Sequence, residues 1–195
     1  AYQSAWLRHH YPTEFYVALF NNQPMGFYSL DALGRDARRN GIQTLPPHIN
    51  KSDTVCTVEG TDLRIGLGFV RNWGAEITEH IVKERRCNGP YISLTDFLRR
   101  TPSGLQRPAI ENLIWVGGFN EFGLTRRELL WQAGLWLGPD TNNNCKRSRD
   151  NHAQTELTLG NPYENLSFPD IGQTEQMIAE YQMLRFSTEL HPLSL

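Results

Sequence analysis

The residues best suited to chemistry in this sequence form a candidate turn directly before an amphipathic segment. The turn consists of Arg71, Asn72, Trp73, Gly74 and Ala75. Apolar residues then recur at helical spacing, which predicts a helix over residues 75–86. The first turn of a helix has backbone N–H groups without intrahelical acceptors and a partial positive charge, so it can bind a phosphate without recognising a base. Asn72 and Gly74 tolerate the positive φ, or the close approach of backbone to ligand, that this turn is predicted to need.

Basic side chains lie close to this turn. Arg71 lies within it, and Lys83 and Arg85 follow on the predicted helix. Residues 62–109 have eight basic and five acidic side chains, a net charge of +3, although the whole chain has a net charge of −2. Residues 136–195 have four basic and eight acidic side chains, a net charge of −4. A basic middle favours an anionic partner such as double-stranded DNA, although solvated helix faces also produce such an excess.

A second turn has the same features. Gly117 and Gly118 interrupt a predicted helix over residues 108–116, and Thr125 is the predicted N-cap of the next helix. Arg126 begins that helix and could contact the same kind of ligand. A glycine-containing turn between helices also forms for packing alone, so both turns have a purely structural alternative.

No arrangement typical of catalysis occurs in the sequence. The six histidines have no partners at metal-ligand spacing, and Gly-x-Ser-x-Gly, P-loop and two-metal carboxylate patterns are absent. Cys56, Cys87 and Cys145 are too scattered for a zinc site or a disulfide framework, so reduced thiols are expected. We therefore expect no metal or other cofactor in this chain and no catalysis by it alone. The sequence also shows no long apolar run and no export leader, which predicts a cytoplasmic protein without membrane contact.

The predicted fold class is mainly α with a short β-hairpin, an α+β arrangement that contains tandem helix-hairpin-helix units. Residues 54–59 and 63–67 alternate around a Gly-Thr-Asp turn, which predicts the hairpin. Residues 138–173 have few apolar side chains and predict an irregular linker. Further helices are predicted over 2–11, 14–22, from the N-cap Ser29 to a stop at Gly41, over 94–99 after the N-cap Ser93, and near 174–184.

Several short motifs, in this order, resemble the C-family DNA polymerases, the alpha subunits of bacterial DNA polymerase III (DnaE type). The run Gln-Pro-Met-Gly-Phe-Tyr at 23–28 is most similar to the error-prone branch of that family. The resemblance covers residues 1–135 well, and His-Pro-Leu at 191–193 resembles the element that precedes the family's OB-fold domain. The matching motifs lie at 1–15, 22–29, 36–42, 47–52, 63–68, 70–74, 93–97, 116–123 and 126–132.

This resemblance implies a domain organisation. Residues 1–50 would be the C-terminal part of the fingers region, and residues 51–137 a β-hairpin plus a tandem helix-hairpin-helix domain that binds DNA. Residues 138–195 would be a linker and the start of the junction to an OB-type domain. The chain is then expected to be a piece of a longer polypeptide, whose Mg²⁺-binding palm lies upstream. Two departures from the family pattern are Asn72, where glycine is usual, and residues 185–189, where a glycine-bearing stretch is preferred.

The implied function is a non-catalytic, duplex-DNA-binding segment of a polymerase that performs template-directed, error-prone or translesion synthesis. The rest of the polymerase chain is an implied partner, and the sliding clamp and mutagenesis accessory proteins are further candidates. Two alternatives are open. The first is a helix-hairpin-helix glycosylase, for which Asp96 is suitably spaced but Ile77 occupies the position of the expected lysine. The second is a non-enzymatic helical adaptor for a protein partner.

Overall fold

A computed structural model of the chain describes residues 2–25, 28–102, 105–137 and 168–188. Within these ranges the protein is mainly helical with one small sheet, the α+β class that the sequence predicts. The helices are α1 (Tyr2–His10), α2 (Pro12–Asn21), α3 (Leu30–Arg39), α4 (Ala75–Asn88), α5 (Leu94–Arg100), α6 (Arg107–Trp115), α7 (Arg126–Leu137) and α8 (Gln173–Leu184). The strands are β1 (Thr44–Leu45), β2 (Thr57–Glu59) and β3 (Asp62–Arg64). Single 3₁₀ turns lie at Leu67–Phe69 and Asn120–Phe122.

The predicted β-hairpin forms, but its strands are shorter than predicted and a third strand joins it. β2 and β3 pair antiparallel, and β1 pairs parallel to the other edge of β3. The ladder stops after Arg64. Beyond it, an ideal Cβ on Gly66 would lie 2.4 Å from the Val55 carbonyl carbon, so only glycine allows this approach. The Leu67 N–H then donates to the Asp53 carbonyl at 2.8 Å, which holds the following turn against the loop that precedes β2.

Three helix starts have the side-chain caps that the sequence predicts. The hydroxyls of Ser29 and Ser93 each accept a hydrogen bond from the backbone N–H three residues later, at 3.2 and 3.1 Å. Thr125 and Glu128 form a reciprocal pair before α7. The Thr125 hydroxyl accepts from the Glu128 N–H at 3.3 Å, and the Glu128 carboxylate accepts from the Thr125 N–H at 2.8 Å.

One hydrophobic core joins residues from all three predicted segments. Tyr16 and Phe20 of α2, Leu63 of β3 and Phe97 of α5 are fully buried in it. Phe186, which follows α8, is also fully buried, and its ring lies edge-on to that of Phe20 with 5.7 Å between centroids. The predicted helix near 174–184 is thus confirmed as α8, and the chain around it packs against α2.

Some predictions concern residues outside the described ranges. These are most of the linker at 138–173, the His-Pro-Leu element at 191–193, and Cys145. Residues 168–172, which the structure describes, form an irregular segment before α8. Among the helices of the described residues, none has the length and apolar character needed to cross a membrane.

Candidate nucleic-acid interface

The predicted first turn lies between the 3₁₀ turn at 67–69 and α4. The element before the turn is therefore a single 3₁₀ turn and not an α-helix. The Trp73 N–H donates to the Val70 carbonyl at 3.2 Å, which closes the turn. Asn72 has a φ of 67°, in the left-handed region that asparagine tolerates better than other non-glycine residues. The turn therefore forms with asparagine at this position, where the family that this chain resembles usually has glycine.

Gly74 does not have the positive φ expected of a turn glycine, so that expectation is wrong. It is the N-cap of α4, with a φ of −75° and a ψ of 148°, an extended conformation that any residue adopts. The positive φ lies at Asn72 instead. An ideal Cβ on Gly74 would meet no atom within 4 Å. Glycine therefore contributes open space in front of the helix at this position, and not conformational freedom.

The N-terminus of α4 presents unpaired backbone donors. Among the described residues, the N–H groups of Gly74, Ala75, Glu76 and Ile77 have no hydrogen-bond acceptor, and the helical ladder begins with Thr78 N–H to the Gly74 carbonyl at 3.0 Å. These amides and the helix dipole together favour an anionic group. Glu76 is exposed in the same first turn, so its carboxylate would compete with a phosphate for the dipole.

Helix α6 supports the turn from behind. The Trp73 indole is 6% exposed, and its Nε1 donates to the Ala109 carbonyl at 2.7 Å. The Asn112 side-chain amide donates to the Arg71 carbonyl at 2.8 Å. The sequence analysis missed Asn112, because one asparagine on an apolar helix face does not indicate a partner 41 residues away.

The predicted basic residues near the turn differ in exposure. Arg71 and Lys83 are exposed, and neither side chain has an acidic partner among the described residues. The Arg85 side chain is only 10% exposed; it donates to two backbone carbonyls of the 49–53 loop at 2.7 and 3.0 Å and to Asp53 at 3.2 Å. Burial lowers the pKa of Arg85, and the Asp53 carboxylate opposes that effect. Arg85 thus secures a loop beneath the surface.

The second turn is built for close packing. Gly117 has a φ of 82°, the left-handed conformation that suits a turn glycine. The Gly118 N–H donates to the Leu113 carbonyl at 2.8 Å, and its own carbonyl accepts from the Ile49 N–H at 2.9 Å. An ideal Cβ on Gly118 would lie 2.3 Å from Leu113 Cδ1. Both glycines are buried, and they bring α6 and α7 together.

Arg126 lies beneath this second turn. It is 7% exposed, and its Nη1 donates to Gln176 Oε1 at 3.1 Å. No carboxylate of the described residues pairs with it. The guanidinium therefore places a positive charge below the surface. The ten predicted site residues thus do not form one cluster. Residues 71–75 form the first turn, Lys83 and Arg85 lie about two to three helical turns further along α4, and Gly117, Gly118 and Arg126 belong to the second turn.

We also searched the described residues for a possible metal-binding site. The part of the chain that the structure describes has no group of three or more histidine, cysteine, aspartate or glutamate side chains that could hold a metal ion.

The chain is similar to known proteins over most of its length. Residues 41–129 match the family described as a helix-hairpin-helix motif. The error-prone DNA polymerase of Mycobacterium tuberculosis (strain ATCC 25618 / H37Rv) is 45% identical over 135 residues, which are 68% of this chain and 12% of that protein. The protein of the same name from Corynebacterium efficiens is 42% identical over 134 residues, 69% of this chain and 12% of the relative. The error-prone DNA polymerase of Methylococcus capsulatus (strain Bath) is 32% identical over 218 aligned positions, which cover 100% of this chain and 19% of that protein.

Proposed function

Because this chain is homologous to one segment of the error-prone DNA polymerases, we propose that it is a non-catalytic segment that binds duplex DNA through its phosphates. Such contacts do not distinguish bases, so binding is indifferent to sequence and sensitive to salt. The observation that best supports the proposal is the open N-terminus of α4. Four unpaired amides lie there close to the exposed Arg71 in the sequence, and the first of them belongs to Gly74, which leaves room for a ligand.

Each residue of the first turn has a separate role in this proposal. Arg71 supplies charge to the phosphate, and Asn72 provides the left-handed conformation that reverses the chain. Gly74 and Ala75 offer backbone N–H groups and leave space for a phosphate oxygen. Trp73 does not touch the ligand, since it is buried against α6.

Other predicted residues contribute around this centre. Lys83 adds an exposed charge further along α4. Gly117 and Gly118 are buried, so the second turn does not offer their backbone to the duplex and serves packing between α6 and α7. Arg126 raises the positive potential of the second turn from beneath the surface, whereas Arg85 is paired with Asp53 and has a structural role.

The whole protein that contains such a segment is proposed to perform error-prone, template-directed DNA synthesis in repair. The catalytic Mg²⁺ is then held by palm carboxylates outside this chain, which spans about an eighth to a fifth of the relatives it matches. The rest of the polymerase chain is a proposed partner, as are the sliding clamp and mutagenesis accessory proteins.

The substitution Gly74→Ser tests the DNA-binding proposal. A serine N-cap accepts a hydrogen bond from one of the open amides and fills the space before the helix, while it preserves or raises helix stability. Gly172→Ser is the matched control, since Gly172 is the N-cap of α8 with similar angles (φ −70°, ψ 158°) and equally open space. Fluorescence anisotropy of a labelled duplex with the 195-residue chain measures affinity at two salt concentrations.

We expect Gly74→Ser to weaken duplex binding about three- to tenfold, the loss of roughly one phosphate contact. Gly172→Ser should bind like the unmodified chain. Equal affinity of both variants would remove the α4 N-terminus from the interface. No binding by the unmodified, folded chain at low salt would contradict the proposal and favour the helical adaptor. Release of a base from a damaged duplex would favour the glycosylase.

A further inference from the structure

A polar groove separates the first turn from the end of α8. Its volume is about 670 Å³, and Arg71 and Arg185 lie on its two walls. Asn72, Trp73 and Met183 are among the other lining residues. The lining residues include two arginines and no aspartate or glutamate, so the electrostatic potential of the groove favours an anion.

Arg185 has an unusual backbone conformation for an arginine. Its φ is 68° and its ψ is 13°, directly after α8, where the position commonly holds glycine. In the described part of the chain, the only non-glycine residues with positive φ are Asn72 and Arg185, and both line this groove. The left-handed conformation brings the Cβ of an L-residue too close to the carbonyl oxygen, so an arginine is retained here at a cost in stability.

The Arg185 guanidinium has no hydrogen-bond or acidic partner among the described residues. It is also the only Lys or Arg in residues 168–188, a stretch that includes Asp170, Glu175 and Glu180. The end of a helix favours a positive charge, but that interaction is modest for an exposed side chain.

The two walls of the groove are joined. The Arg71 N–H donates to the Met183 carbonyl at 3.1 Å, so the turn and the end of α8 have a common backbone contact. Arg71 and Arg185 therefore line the same groove from backbones that are held close together.

We infer that Arg185 and Arg71 bind a phosphate of the duplex backbone in this groove, adjacent to the phosphate at the N-terminus of α4. This inference rests on the proposed function and adds α8 to the DNA-binding surface. The proposed DNA-binding surface then includes both the first turn and the end of α8.

The substitution Arg185→Gly tests the inference without unfolding the chain. Glycine removes the charge and also suits the left-handed conformation, so the variant should be at least as resistant to urea as the original. Arg185→Lys keeps the charge in place. Arg39→Ala is the control for net charge, because Arg39 is an exposed arginine of α3 outside the groove.

We expect Arg185→Gly to weaken duplex binding about three- to tenfold and to lower the slope of log K against log salt by about one. Arg185→Lys should retain most of the slope, and Arg71→Ala with Arg185→Gly should lower it by about two. If Arg185→Gly behaves like Arg39→Ala while Gly74→Ser still weakens binding, the inference fails and the proposed function stands. If inorganic phosphate binds the original chain but not Arg185→Gly, while both chains bind the duplex with equal affinity, the groove is a free-anion site and the inference is also overturned.

Discussion

The indole Nε1 of Trp73 donates a hydrogen bond to the backbone carbonyl of Ala109 at 2.7 Å, which joins the first turn to the first half of α6. The turn that presents the candidate phosphate site is therefore shaped by a helix that begins more than thirty residues later. Since α6 also ends at the second turn, one helix supports both turns.

Trp73→Phe should destabilise the chain and weaken DNA binding together. The phenylalanine ring keeps part of the apolar contact but cannot donate to Ala109, and a lost buried hydrogen bond costs about 1–3 kcal/mol in unfolding free energy. Urea unfolding measures the loss. Trp6→Phe is the control, since Trp6 is 44% exposed on α1 and should change stability by less than about 0.5 kcal/mol. Equal stability of the two variants would mean that the Trp73 bond contributes nothing.

Arg71→Ala should weaken binding to every duplex by the same factor. The guanidinium is expected to contact a phosphate, so its loss lowers the salt slope by about one and leaves relative affinities unchanged. Anisotropy titrations with three duplexes of unrelated sequence, each at several salt concentrations, provide the measurement. A loss confined to one duplex would indicate a base contact and would contradict the prediction.

Gly118→Ala should destabilise the chain by about 1–3 kcal/mol, because the added methyl group overpacks a closed site. The new Cβ would lie 2.3 Å from Leu113 Cδ1, and Leu113 is fully buried. Gly134→Ala in α7 is the contrasting variant. An ideal Cβ on Gly134 would lie 3.8 Å from the Arg107 guanidinium, which is ordinary contact. Alanine in place of glycine should therefore raise the unfolding free energy by about 0.5–1 kcal/mol through its higher helix propensity. Thermal unfolding of both variants should show shifts of opposite sign, and shifts of the same sign would argue against close packing at Gly118.

Glu180→Gln should loosen the chain after α8. One carboxylate oxygen of Glu180, which is 2% exposed, accepts from the Ser187 hydroxyl and the Thr188 N–H at 2.8 Å each, and from the Thr188 hydroxyl at 3.1 Å. The other accepts from the Gln176 amide at 3.0 Å. A glutamine has one acceptor oxygen, so one set of bonds is lost, at a cost of about 1–3 kcal/mol. Urea unfolding measures it, and unchanged stability would contradict the prediction.

Glu175→Gln is the control for Glu180→Gln. Its carboxylate is half exposed and lies 3.5 Å from Arg127, a surface pair whose loss should cost less than about 0.5 kcal/mol.

Tyr16 should stabilise the fold below pH 10 and lose that effect as the pH rises towards 12. Burial, and then the hydrogen bond to Asp36 at 2.6 Å, raise the pKa of Tyr16 to about 12, above its ordinary value of 10.0. The folded state therefore favours the protonated phenol, and unfolding becomes easier once the unfolded chain ionises. The difference in unfolding free energy between the original chain and Tyr16→Phe should be largest below pH 10 and narrow above it. A difference independent of pH up to 12 would contradict this.

Much of the local structure could be predicted because its causes are local. The serine caps before α3 and α5 and the threonine cap before α7 act on amides three residues away, so the residue types alone indicate them. The hairpin between β2 and β3 depends on alternation around a Gly-Thr-Asp turn and was also predicted correctly. β1 was missed, because its two residues join β3 in parallel only after the intervening chain has folded back.

Local patterns in the chain predict where the two turns lie, that helices follow them, and that basic side chains are close to the first. How each candidate residue is used depends on long-range packing. Arg71 faces solvent while Arg85 is buried against the 49–53 loop, although both are arginines close to one turn. Arg185 lines the groove because the end of α8 packs against the first turn, which lies far away along the chain. Backbone preference acts over a few residues, whereas exposure depends on which distant surfaces exclude water from a side chain, and spacing along the chain does not specify that.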